Sequence, residues 1–155
     1  TEIREKEVCM NKNQKKQKGF SLLELLVVIS IMGILITLGV VAFSTAQKKT
    51  RDSRRRADVK AMQDAFEQYM AATGTYETCN TMVTYDAGNG AIMPGGLPVD
   101  PKNSGSYVYN TSTGCSIAGY CICASMESGS GNANAPSAAT CSFGAGSYYC
   151  LTNLQ

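Results

Sequence analysis

The chain has 155 residues, 44% of them hydrophobic and 17% charged, with a formal net charge of +2 and no histidine. That length holds one compact domain, and a segment unfit for a soluble core claims part of it. The small net charge hides an asymmetry: six of the fourteen Lys and Arg precede Phe20, seven more run from Lys48 to Lys60, and from Ala71 onward four acids stand against Lys102 alone. A nucleic-acid-binding globule would not be patterned this way, and no nucleic-acid partner is expected.

The N-terminal residues 1–19 are polar and basic. From Met10 on they carry Lys12, Lys15, Lys16 and Lys18 without an acid, the flank of a segment kept in the cytoplasm. A leader starting at Met10 would suffice, so residues 1–9 read as an upstream extension of the reading frame, and Cys9 has no expected role. Residues 25–43 hold no ionisable side chain, and nineteen helical positions rise about 28 Å, close to the hydrocarbon thickness of a bilayer. The downstream flank, Lys48, Lys49, Arg51, Arg54, Arg55 and Arg56, is basic as well, so charge alone leaves the orientation open. Cysteine decides it. Cys79, Cys115, Cys121, Cys123, Cys141 and Cys150 are an even set in a region otherwise rich in Gly, Ser and Ala, which reads as a disulfide framework in an oxidising compartment. The C-terminal part is then outside and the leader inside.

An ordinary secretory signal is the rival, because Ser44, Thr45 and Ala46 offer a conventional cleavage site. The apolar stretch is longer than a signal core of roughly 7 to 15 residues, and it carries an acid near its start. That acid, Glu24, costs at least a few kcal/mol inside a spanning helix and needs a partner. A cut after Gly19 would give Phe20 a free α-amine four residues away, one helical turn within a chain or the matching level on a neighbouring chain. The competing reading, equally weighted on the residues alone, has Glu24 at the headgroups reaching water.

Residues 18–29, KGFSLLELLVVI, resemble the leader and methylation motif of type IV prepilins and of the pseudopilins of type II secretion. The resemblance implies cleavage by a prepilin peptidase between Gly19 and Phe20, N-methylation of Phe20 by the same enzyme, and an assembly role for Glu24. Glycine suits the cut, since a residue without a side chain leaves its backbone open to a peptidase.

Residues 60–76, KAMQDAFEQYMAATGTY, are similar to the exposed half of the long helix of major pseudopilins. The residues agree by themselves. Val59, Met62, Phe66 and Tyr69 recur at spacings of three and four, while Asp58, Lys60, Asp64 and Glu67 lie off that stripe. Gly74 ends the pattern, so one helix from Phe20 to about residue 72 would be roughly 80 Å long. Arg54, Arg55 and Arg56 read as a solvated helix face; contact with phosphate is the alternative.

In the head, Leu97-Pro98-Val99-Asp100-Pro101 followed by Tyr107-Val108-Tyr109 resembles the loop and first strand of major pseudopilins. Strands are predicted at residues 106–110, 120–126 and 147–151, forming an antiparallel meander against the amphipathic half-helix. Residues 128–140, SGSGNANAPSAAT, read as a surface loop. Cys121 and Cys123 would share one strand face and bond elsewhere, but six cysteines allow fifteen pairings and the sequence does not choose. A structural zinc site competes; the absence of His and the unfamiliar spacings count against it.

Two departures from the family pattern stand out. Val41 occupies a place where many members carry proline, and no acid follows Glu127, so the calcium ligation typical of major secretion pseudopilins is not expected. No metal or other cofactor is called for, and disulfides take over the stapling of a small head. No residue set supports catalysis: there is no His, no nucleophile motif, no paired acids and no phosphate loop.

The resulting expectation is a pilin-like α+β chain: leader 1–19, filament-core or transmembrane helix 20–44, amphipathic half-helix 45–73, and extracytoplasmic disulfide-rich head 74–155. The main functional reading is a structural subunit of a type IV pilus-like filament, favoured by the cysteine-rich head. A type II secretion pseudopilin is the alternative, and an uncleaved membrane-anchored binding domain or a small protein released at Ala46 are the others. Expected partners are identical or homologous subunits, the prepilin peptidase, an inner-membrane assembly platform and the lipid bilayer. The location would be the bacterial cytoplasmic membrane before assembly, and a surface pilus or periplasmic pseudopilus after.

Overall fold

The computed structural model describes residues 19–86, 88, 90–109, 113–134 and 140–155. The chain divides into two compact units at Val40 and Val41. The described part of the first is Gly19, Phe20, Ser21 and the opening of helix α1 (Leu22–Thr73). The second contains the remainder of α1, a short helix α2 (Cys79–Thr84), and five strands: β1 (Cys115–Ser116), β2 (Gly119–Ser125), β3 (Gly131–Ala133), β4 (Phe143–Gly146) and β5 (Tyr148–Thr152).

Residues 39–41 are helical, as nothing in Gly39-Val40-Val41 removes a backbone donor. α1 stops where Gly74 takes φ +81° and donates its N–H to the Met70 carbonyl at 2.8 Å, a left-handed cap that a side chain would strain. Thr78 caps α2 through its hydroxyl, which accepts from the Thr81 N–H.

All strand pairings are antiparallel, in the order β1-β2-β5-β3-β4. β2 is buried along its whole length, and its alternation sorts the residues onto two faces. Tyr120, Ile122 and Ala124 join Val59, Met62, Ala65, Phe66 and Tyr69 of α1 in the main core. Tyr120 packs edge-on to both Phe66 and Tyr76, at ring separations of 5.0 and 5.4 Å. Cys121 and Cys123 join Cys150 and Ala133 in a second, smaller cluster. Each fully buried side chain of this size contributes about 1.5 to 3 kcal/mol. Three disulfides, Cys79–Cys115, Cys121–Cys141 and Cys123–Cys150, fasten α2 to β1 and close chain loops on β2. Each such link typically adds about 2 to 4 kcal/mol in a small domain.

Three expectations need correction. Residues 106–109 form no strand: Tyr107 meets Ser104 in an isolated bridge, and Asn110 lies outside the described residues. The tyrosines there are engaged by side chains instead, Tyr109 donating its hydroxyl to Asp58 of α1 at 2.7 Å and Tyr107 lying under Arg55 of α1 and the loop residue Lys102. The sheet is not a meander, since β5 inserts between β2 and the β3–β4 hairpin. Residues 131–133, placed in the low-complexity loop, are β3. They were illegible because Gly131 has no strand propensity; it serves close approach, as a Cβ there would collide with the Tyr148 backbone.

Candidate functional site

Gly19 and Phe20 precede α1 in exposed, non-helical backbone, with nothing near the place a Gly19 Cβ would occupy. Ser21 and Glu24 open the helix as a reciprocal cap: the Glu24 carboxylate accepts the Ser21 N–H at 3.1 Å, and the Ser21 hydroxyl accepts the Leu23 N–H at 3.3 Å. The large apolar side chains from Leu22 to Phe43 are 45% to 81% exposed. α1 is the one described helix with a stretch long and apolar enough to cross a membrane. Ser30, Thr37 and Thr45 bond back to the helix itself, on the carbonyls of Leu26, Ile34 and Val41. A helix apolar all round, with its polar groups bonded internally, suits hydrocarbon or neighbouring helices and not water.

The second feature is a charge cluster between α1 and two head loops. Arg55 is wholly buried. Its guanidinium forks onto Asp100 through Nε (2.7 Å) and one terminal nitrogen (3.0 Å), while the other terminal nitrogen reaches both Asp52 and Glu127 at 2.8 Å. Arg51 pairs in parallel with both Glu127 oxygens at 2.7 Å. Asp52 also accepts the Glu127 and Ser128 N–H groups, each at 2.9 Å, and the Ser128 hydroxyl. Asp100 accepts from Lys102 N–H at 2.8 Å. Two cations thus face three carboxylates, and Asp52 and Asp100 are further held by backbone and hydroxyl donors. Such an arrangement fixes loop positions; it leaves no group poised for proton transfer.

The protonation behaviour follows from these contacts. Hydrogen bonds from Arg51, aided by Arg55 and opposed by burial, hold Glu127 at about 2 against an ordinary 4.5. Burial would raise Asp52 and Asp100, but Ser128 with the neighbouring backbone donors overrides it at the first, and Arg55 at the second, so both are lowered. Burial likewise pulls Arg55 down, and its carboxylate partners more than restore it. Each acid binds its proton more weakly folded than unfolded. Each contribution is therefore complete above the ordinary carboxylate range and is lost as pH falls below it, for Glu127 toward about 2. On the alkaline side, burial and then Asp58 raise Tyr109, and burial and then Glu67 raise Tyr120. Their contribution is complete below about pH 10 and declines above it. The head's thermal midpoint should be flat between about pH 5 and 9 and fall on both sides. A midpoint unchanged down to about pH 2.5, by circular dichroism in detergent, would contradict the burial of this cluster.

Residues 14–40 match the family described as the prokaryotic N-terminal methylation motif. Over 99 residues the chain is 29% identical to "Type II secretion system core protein G" of Vibrio cholerae, a match covering 63% of this chain and 64% of the relative. It is 35% identical over 65 residues to the protein of the same name from Escherichia coli, and 34% over 65 residues to that of Aeromonas hydrophila, covering 45% and 46% of those chains. These findings support the resemblance to type IV pilins and pseudopilins. The match spans less than two thirds of each of these relatives. Among solved structures there is no significant match.

The α+β architecture, a long apolar helix with a small antiparallel disulfide-bearing sheet, agrees with that resemblance. The leader ahead of Gly19 lies outside the described residues. Cys121, Cys123 and Cys150 bring their sulfurs within 4.8 Å of one another, but each is in a disulfide, so no thiolate is offered to zinc.

The arginine run is not one solvated face. Arg54 is exposed, 3.9 Å from Asp58; Arg56 donates to the Ser130 carbonyl at 2.6 Å and lies over the Tyr149 ring; Arg55 is interior. Three consecutive helix positions point about 100° apart, so one of them must face the head. The spacing of Asp52 and Arg55, and an acid set between Pro98 and Pro101, were the available signals.

Proposed function

We propose that this chain is a pseudopilin of a type II protein secretion system, a structural subunit that polymerises through its N-terminal helix after processing. The printed names of its curated relatives carry this reading, because all four bear the name type II secretion system core protein G. The cysteine-rich head, which on sequence favours a type IV pilus, is the one feature that supports the second reading. A structural disulfide set reports an oxidising compartment, periplasmic or outside, and does not separate the two.

In this reading the leader is cut between Gly19 and Phe20 by a prepilin peptidase, and Phe20 is methylated on its new amine. Residues 20–44 then anchor the subunit in the inner membrane, with the head in the periplasm, until an assembly platform extracts it. Glu24 neutralises the Phe20 amine of a neighbouring subunit, so axial register is set by one charge pair in an apolar setting. The half-helix 45–73 and the head, residues 74–155, form the outer layer of a homopolymeric or mixed pseudopilin filament.

The N-terminal mass of the protein from membranes should correspond to a methylated Phe20 start, and Gly19→Trp should leave the precursor uncut. An intact leader in the native protein would leave only a membrane-anchored domain. Deleting the chain should trap secreted enzymes in the periplasm while surface fibres persist; loss of fibres with normal secretion would favour the pilus.

A further inference from the structure

The basic flank beyond the apolar stretch is anomalous for a translocated segment, because Lys and Arg normally stay on the cytoplasmic side. The structure accounts for part of it. Arg51 and Arg55 are neutralised by Glu127, Asp52 and Asp100, and Arg54 lies near Asp58. Lys48, Lys49 and Arg56 have no acidic partner among the described residues. Two of these three, Lys49 and Arg56, line a groove of about 460 Å³ with Asp52, Ser53, Ser128 and Ser130.

The groove is built on one helix stripe, since positions 49, 52, 53 and 56 recur at helical spacing. Asp52 is held in the buried cluster by Arg55, Ser128 and backbone N–H groups, and the one acid by which that cluster exceeds its two arginines is outweighed by Lys49 and Arg56. Arg56 uses one terminal nitrogen on Ser130, whose hydroxyl also meets Ser128 at 2.9 Å. What remains is cationic at both ends, with hydroxyls between. Lys49 is six residues past Phe43, a rise of about 9 Å, which places it in the headgroup layer if residues 25–43 fill the hydrocarbon.

We propose that this groove binds the headgroup of an anionic phospholipid, the phosphodiester entering at Lys49 and a hydroxyl-bearing end lying along Ser53 toward Ser130 and Arg56. This rests on the membrane-anchored stage of the proposed function. It gives the uncompensated cations a task on the translocated side: they hold the subunit at the bilayer surface before assembly, and each cation near such a surface is worth roughly a fivefold change in binding.

The test uses the full chain in detergent micelles, with lipid retention read by native mass spectrometry for phosphatidylglycerol and phosphatidylcholine. Wild type should prefer phosphatidylglycerol, Lys49→Gln with Arg56→Gln should lower that preference by about twentyfold, and inorganic phosphate should not displace the lipid. Lys48→Gln with Arg54→Gln removes as much charge outside the groove and should cost far less. Equal loss in both double variants would mean a diffuse charge collar and overturn the groove. Lack of preference in wild type, or displacement by inorganic phosphate, would overturn the lipid assignment. Retention does not require filaments or cleavage, so its failure is distinct from a failure of the pseudopilin reading, which the N-terminal mass decides.

Discussion

Arg55→Leu should lower the stability of the head by about 3 to 5 kcal/mol, the usual cost of leaving buried partners of an ion cluster unpaired. The substitution would remove the buried cation shared by Asp52, Asp100 and Glu127, and only Arg51 would remain beside Glu127. In a domain of this size that is a fall of at least about 12 °C in the thermal midpoint. Arg55→Lys should fall between, because an ammonium cannot fork onto Asp100 while also reaching Asp52 and Glu127. Adding Asp52→Asn, Asp100→Asn and Glu127→Gln to Arg55→Leu should recover much of the loss, since the buried charges then go with their partner. A loss below about 1 kcal/mol for Arg55→Leu alone would show that the cluster is wet and that the loops carrying Asp100 and Glu127 are held by other contacts.

Glu24→Ala should leave processing intact and abolish filaments. Two roles have to be separated, because the carboxylate also closes the first turn of α1 by accepting the Ser21 N–H. Loss of such a cap costs about 0.5 to 2 kcal/mol, and Gln can replace Glu in it. Glu24→Gln therefore keeps the cap and removes the charge. If the charge pairs with the Phe20 amine of a neighbour, Gln should fail as Ala does, with assembled subunits in sheared material reduced at least tenfold. Normal filaments from Glu24→Gln would reduce Glu24 to a helix cap.

Certain layers of this chain were open to reading residue by residue. An unbroken apolar run of this length announces its own helix, since only a helix satisfies the polar groups of a single segment from within that segment. The stripe Val59, Met62, Phe66 and Tyr69, and the strands near Tyr120 and Tyr149, follow from periods of 3.6 and 2. Other layers depend on contacts between distant segments. Arg55 looks like its neighbours Arg54 and Arg56 in sequence, and only the arrival of Asp100 and Glu127, 45 and 72 residues away, makes it an interior group. β3 and β4 are rich in glycine and small residues, so their strand character comes from the partner beside them.

The sequence by itself determined where the chain would be apolar, where it carries a motif for processing, and that its head would be bound by cysteines, because these depend on composition and local spacing. The tertiary structure alone decided the strand order, the cysteine pairing and which arginine is buried. Each of those depends on which segments meet, and a local pattern holds no record of a partner dozens of residues away.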